Sequence, residues 1–206
     1  MSNIIGRKII GLKRKIMGNI RTIIWPLFHQ GSEQTITCDT LQGKYSFSSK
    51  DNIIGKSLYT WRLFEKSSID NTIRLLQTLG KINSKNNNCL IDIGSNIGTV
   101  SIYLVKNNIF RKAIGFEPEP KNFNYYTANI HQNDLDSLIS AYCFALSDKD
   151  NETLFLKLSE NNYGDHRLVS NTNGENNPEK LPSSSVKKIL TMYSNGNNKY
   201  TELLLI

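Results

Sequence analysis

The residues best placed to do chemistry lie in one nine-residue stretch and a short segment beyond it. Leu90-Ile91-Asp92-Ile93-Gly94-Ser95-Asn96-Ile97-Gly98 puts an acid near the end of an apolar run, with glycines two and six positions later. Glu117 closes a second apolar run, Ala113–Phe116. Glycines at Gly94 and Gly98 let the backbone turn tightly and approach a ligand without Cβ interference. Asp92 is suited to holding an ammonium group, directly or through water. Glu117 is suited to accepting hydrogen bonds from the two hydroxyls of a ribose, the use that a second-strand acid has in nucleotide sites.

The same stretch excludes two common readings. A dinucleotide fingerprint starting at Gly94 needs glycine at positions 96 and 99, where this chain has Asn96 and Thr99. No lysine follows as a phosphate-binding P-loop requires. A ligand with a ribose at one end and an amino acid at the other fits S-adenosylmethionine better than a dinucleotide. Taken singly, each acid has a plainer account: Asp92 as the cap of the following helix, Glu117 as a solvated strand end. Taken together, after two buried strands, they favour the cofactor.

The elements that must position these residues are legible in the hydrophobic pattern. Cys89–Ile93, Ala113–Phe116 and Ala141–Leu146 read as short buried strands. Between them, Ile97–Lys106 reads as one helix, and Pro118-Glu119-Pro120 opens another whose apolar side is Phe123, Tyr126 and Ile130. Strand, helix, strand, helix, strand at this spacing predicts an α/β fold with a parallel, doubly wound sheet. Upstream, Thr35–Cys38 and Lys44–Phe47 read as a hairpin, and Ser67-Ser68-Ile69-Asp70 as a capping box opening a helix that stops at Gly80. Downstream, Glu152–Leu158 reads as a strand, residues 159–185 as a long loop, and Val186–Thr191 and Thr201–Ile206 as strands. The implied organisation is a basic helix over 1–32, a lead-in hairpin and helix over 33–88, and a cofactor-binding domain over 89–206.

Leu90 through Gly98, then Gly115-Phe116-Glu117-Pro118 and Ala145-Leu146-Ser147-Asp148, resemble the FkbM family of class I S-adenosylmethionine-dependent methyltransferases. The resemblance extends upstream to Asp51–Ile54 and Ser57–Glu65, and downstream to Asn162-Tyr163-Gly164-Asp165-His166-Arg167-Leu168. It implies a Rossmann-like sheet with helices on both faces and O-methylation of a hydroxyl on a sugar or natural-product-like acceptor. It also implies that Asp92, Gly94, Asn96, Gly98 and Glu117 meet the cofactor. Asp165 and His166 are candidates for the base or for substrate binding. The third strand offers no acid to adenine, which leaves backbone groups around Leu146 and Ser147 for that contact.

The family's later segments find no counterpart, so Thr201–Ile206 is expected as a fourth strand beside the first, with the C-terminal strands missing. A truncated reading frame is the leading expectation. A second chain completing the sheet, and a non-catalytic remnant or membrane-associated interaction module, are the alternatives.

Charge locates any electrostatic partner. Residues 1–32 carry Arg7, Lys8, Lys13, Arg14, Lys15 and Arg21 with no acid, a charge of +6, whereas the remainder carries only +1. A whole-protein nucleic-acid field is thereby excluded. Ile5, Ile9, Leu12, Ile16, Ile20, Ile23 and Leu27 recur at helical spacing, and their longest apolar run is far too short to span a bilayer. The pattern predicts peripheral membrane contact through residues 1–30, or a helix docked on its own domain. Cys38, Cys89 and Cys143 show no C-x-x-C spacing, and His29, His131 and His166 are scattered. That usage predicts a cytoplasmic protein without a metal site.

Overall fold

The computed structural model describes residues 2–82 and 88–147, then short strands at 154–157, 167–169, 179–181, 183–185 and 202–205; side chains are described for 10–82 and 88–147. The chain opens with α1 (Ser2–Gln30), β1 (Thr35–Asp39), β2 (Lys44–Ser48), α2 (Ile54–Trp61) and α3 (Lys66–Thr78). The alternating part follows: β3 (Asn88–Ile93), α4 (Thr99–Lys106), β4 (Lys112–Phe116), α5 (Pro120–His131) and β5 (Ile139–Tyr142). Among the described residues six short strands follow: β6 (Ala145–Ser147), β7 (Leu154–Lys157), β8 (Arg167–Val169), β9 (Glu179–Leu181), β10 (Ser183–Ser185) and β11 (Glu202–Leu205).

The central sheet is parallel, in the order β11-β3-β4-β5. This is the Rossmann-like α/β arrangement that the pattern predicts, with the last strand beside the first as expected. Connections from β3 step one way to β4 and β5, while β11 lies on the other side of β3. The order therefore reverses at β3, and its carboxyl end is a topological switch point.

Alternation of side chains divides the sheet into two faces. Leu90, Ala113 and Ile139 join the larger core with Ile102, Leu104, Tyr126 and Ile130 of α4 and α5. Cys89, Ile91, Ile114 and Phe116 face the other way and pack against Phe144 and Leu146. Helix α5 starts as its sequence predicts. Pro120 occupies the first turn, and the Glu119 carboxylate accepts the Asn122 N–H at 2.5 Å.

Three expectations are corrected. The third strand is not continuous over Ala141–Leu146; it ends at Tyr142, and β6 leaves the sheet to pair with β10. Position 67 does not cap α3, which begins at Lys66 after Glu65 in a left-handed conformation; Asp70 instead binds Lys66 and the Tyr103 hydroxyl, each at 2.6 Å. The stretch 159–185 contains β8, β9 and β10 rather than loop alone, with β7 pairing antiparallel to both β8 and β9. Val186–Thr191 lies outside the described residues.

Helix α1 docks on the body, as one of the two expectations had it, through a face the periodicity does not mark. Trp25 is 1% exposed and packs on Tyr59, while Gly18 lies so close to the Trp61 ring that a Cβ would overlap it. The Trp25 indole N–H donates to Asn52 at 3.0 Å, and the Lys50 ammonium donates to the carbonyls of His29 and Gly31 at 2.5 Å. The apolar row that the periodicity marks (Leu12, Ile16, Ile20, Ile23 and Leu27) points to solvent. The docked face is anchored by a buried tryptophan whose indole N–H is satisfied, which makes a large apolar side chain cheap to bury there.

Helix α2 is held by a residue outside it. Asp51 is buried and accepts the N–H groups of Ile53, Ile54 and Gly55, each at 3.0 Å, satisfying donors that the helix start leaves open. Asp51→Ala is expected to lower stability by about 2–3 kcal/mol, with Asp51→Asn recovering part of the loss in denaturant titrations.

Candidate functional site

Asp92 and Glu117 stand at the carboxyl ends of adjacent parallel strands and on the same side of the sheet, since Asp92 pairs with Gly115. Both are buried, at 4% exposure each. The Asp92 carboxylate accepts the Ser101 N–H at 3.2 Å, in the first turn of α4, so capping is part of its work. Glu117 is not a solvated strand end. Its two oxygens accept the N–H groups of Asn96 at 2.8 Å and Glu119 at 2.9 Å, tying the turn after β3 to the turn after β4.

The turn itself alternates through left-handed conformations at Gly94 (φ +75°), Asn96 (φ +51°) and Gly98 (φ +86°). Such a turn can form an anion-binding nest when its amides point outward. Here every amide from 94 to 98 has a partner within the protein. Gly94 and Ser95 donate to the Phe116 carbonyl, Asn96 to Glu117, Ile97 to the Asn96 side chain, and Gly98 to the Ser95 carbonyl. The turn is therefore built to carry side chains and backbone to a ligand, and not to cradle phosphate.

The two glycines have different reasons. A Cβ on Gly94 would meet nothing within 4 Å, and the residue is exposed, so the open backbone there faces outward. Gly98 is buried, and a Cβ there would overlap the Tyr126 ring and Ile102. The close approach expected at Gly98 is thus to Tyr126 from inside. Gly115 has the same reason: a Cβ would overlap the Tyr126 hydroxyl and Ser95 Oγ. That hydroxyl pairs with Ser101 Oγ at 2.8 Å. Tyr126 is consequently the post beneath the turn, reaching β4, α4 and Gly98 at once.

Sequence reasoning placed Tyr126 only on an apolar helix side and did not single out Ser101 or Gly115. The signal for Gly115 was present, since an isolated glycine inside an apolar strand marks a close approach. A second unmarked feature is an aromatic cluster at the ends of β4 and β5. Phe116 stacks on Tyr142 with centroids 5.6 Å apart, and Phe144 leans on both. Tyr142 is 38% exposed and Ile93, across the strand ends, 39%. Leu146 and Ser147 lie in β6, half-buried, with Leu146 packed under the opposite sheet face. Asp165 and His166 lie outside the described residues. Among the described residues no three acidic, histidine or cysteine side chains gather as a metal site. A groove of about 410 Å³ between β1, β2 and α5 holds Lys121, which is paired with Glu33; neither Asp92 nor Glu117 lines it.

Burial dominates the electrostatics. It raises the Asp92 carboxyl from 3.8 to about 6, against the lowering effect of Ser101. Burial raises Glu117 from 4.5 to about 7, against the amides of Glu119 and Asn96, and the neighbouring charges of Glu119 and Asp92 add to the rise. Both acids bind protons more tightly folded than unfolded. Their contribution to stability is therefore greatest at low pH and declines as pH rises from about 4 to about 7, by up to about 3 kcal/mol for each acid. Urea midpoints measured across that window are expected to fall more steeply with pH for the natural chain than for Glu117→Gln.

No protein-family profile matches the sequence, and no curated protein matches it. Three solved structures show partial likeness. TYW2 of P. horikoshii in complex with MeSAdo is 20% identical, with a TM-score of 0.39 over 56% of this chain and 38% of that one. TYW2 of M. jannaschii in complex with AdoMet is 16% identical, with a TM-score of 0.38 over 55% and 44%. TrmK of M. capricolum in complex with S-adenosyl-homocysteine is 30% identical, with a TM-score of 0.28 over 34% and 30%. This chain spans less than half the length of each.

Proposed function

We propose that this chain binds S-adenosylmethionine at the carboxyl ends of β3 and β4, as a methyltransferase of the FkbM type. The observation that carries the reading is the pair of buried acids at the switch point, beside a turn whose amides are all committed internally. That combination suits a ligand with hydroxyl and ammonium donors and no phosphate. In this reading Glu117 accepts the ribose hydroxyls on its remaining lone pairs, Asp92 holds the ammonium end through water, and Gly94 and Asn96 line the turn. Gly98 contributes indirectly, by making room for Tyr126. The aromatic cluster of Phe116 and Tyr142, with Ile93 opposite, supplies flat apolar surface for the adenine, and backbone groups near Leu146 and Ser147 serve its edge.

Bound there, the cofactor would supply an electrophilic methyl group on a sulfonium. The proposed acceptor is a hydroxyl of a sugar or natural-product-like molecule. The protein's part is to hold that oxygen in line with the methyl carbon and to take up the hydroxyl proton, with Asp165 and His166 as the candidate acceptors of that proton. A second chain completing the sheet beside β11 belongs to the same reading, since β11 stands at the edge of the described sheet. The test is titration calorimetry of the full chain with S-adenosylmethionine and with its demethylated product. Saturable heat is expected from both, and none from either would remove the reading.

A further inference from the structure

We propose that α1 is a two-faced helix that rests on an anionic lipid surface, with its outward face in the interface and its inward face bolted to the protein body. The inference is independent of the cofactor reading.

Helical geometry separates the two faces. Gly18, Trp25 and His29 recur at steps of four and seven and make up the inward face, held by the contacts to Trp61, Tyr59 and Asn52. Leu12, Ile16, Ile20, Ile23 and Leu27 recur at steps of three and four, half a turn away from that face. Their exposures are 61%, 51%, 44%, 78% and 74%. Five aliphatic side chains in one row therefore extend about 22 Å along the helix with no protein against them among the described residues. Docking explains Trp25 and leaves this row without a role in the fold. Contiguous apolar surface of that kind marks an interaction site.

Charge identifies the occupant. Lys13 and Lys15 are exposed and flank the row on either side, and the segment 1–32 carries +6 without one acid. An apolar ridge bordered by cations is complementary to headgroups over acyl chains. Among the described residues no helix is long and apolar enough to cross a membrane, so the contact is one of lying on the surface. Because Trp25 fastens the helix from behind, the helix brings the body with it, and binding needs no detachment of α1.

Flotation of the full chain tests this with vesicles of phosphatidylcholine alone and of phosphatidylcholine mixed with phosphatidylglycerol. The protein is expected to float with the mixed vesicles, to stay behind with the neutral ones, and to be released by high salt. Ile16→Glu with Ile23→Glu alters only exposed positions, so helix content by circular dichroism stays unchanged while vesicle binding falls by about ten-fold or more. Lys13→Glu with Lys15→Glu is expected to weaken binding to the mixed vesicles to a similar degree. Equal flotation of the Ile16→Glu, Ile23→Glu chain and the natural one would overturn the proposal. So would self-association that this variant abolishes, in a chain that binds no vesicles; the row would then join two copies.

Discussion

A chain carrying Glu117→Ala is expected to give no measurable heat with S-adenosylmethionine at neutral pH, under conditions where the natural chain saturates. Two charge-assisted hydrogen bonds to ribose are lost, which amounts to about 3 kcal/mol or more, a loss of at least about a hundred-fold in affinity. The substitution also removes the acceptor for the Asn96 and Glu119 amides, so the turn after β3 loses its tie to β4. Glu117→Gln separates these effects, since its carbonyl oxygen still accepts one amide while the charge is gone. The pH dependence provides a sharper criterion. Free Glu117 titrates at about 7, and donors at the ribose favour the ionised form, so affinity is expected to climb as pH rises and to level off above about 7. Below that point binding releases a proton, and the measured heat varies with the ionisation enthalpy of the buffer. A pH-independent affinity with no buffer effect would show that Glu117 does not meet the ligand.

Gly115→Ala is expected to be among the most damaging single-methyl changes in the described core. Its Cβ would fall on the Tyr126 hydroxyl, the ring carbon beside it and Ser95 Oγ, in a parallel strand that cannot shift without moving β3 and β5. Overpacking at a site so enclosed costs about 3 kcal/mol or more. Gly98→Ala is expected to do comparable harm, because it adds backbone strain at φ +86° to overlap with the Tyr126 ring. A double substitution distinguishes the causes. Tyr126→Phe removes the hydroxyl that obstructs position 115, so it should recover part of the stability lost in Gly115→Ala. It should recover little in Gly98→Ala, where the ring carbons are the obstacle. Denaturant midpoints of the natural chain, the three single variants and the two double variants provide the comparison, and strict additivity of Gly115→Ala with Tyr126→Phe would show that the Tyr126 hydroxyl is not what closes position 115.

Particular residues show how far sequence reading reaches. The strand-turn-helix around Asp92 was legible because each of its signals is local: an apolar run, then glycines at short spacing, then a helical period. The same holds for β4 and for the start of α5 at Pro120, whereas the place of β11 beside β3 was implied by the family resemblance and not by any local signal. The buried asparagines show where local reading stops: Asn129 is fully buried and bonds to both backbone groups of Ser46 and to the Ile97 carbonyl. Asn133 likewise accepts from Lys44 N and donates to Lys44 O. Asn129 of α5 and Asn133, just beyond the end of that helix, fasten β2 across more than eighty positions in the chain. No window along the sequence can register such a partnership.

The sequence by itself determined the alternation of strands and helices, the parallel sheet, and the two acids at the ends of adjacent strands. All of these follow from hydrophobic period and turn chemistry within a few residues. Only the tertiary structure decided which face of α1 docks, why Gly98 and Gly115 lack side chains, and that Asp92 and Glu117 are buried enough to titrate near neutrality. Each of those depends on what the folded chain brings alongside: Trp61 and Asn52 for α1, Tyr126 for the glycines, and the closing of two turns over the acids. Burial and steric exclusion are set by neighbours in space, and those neighbours are distant in sequence.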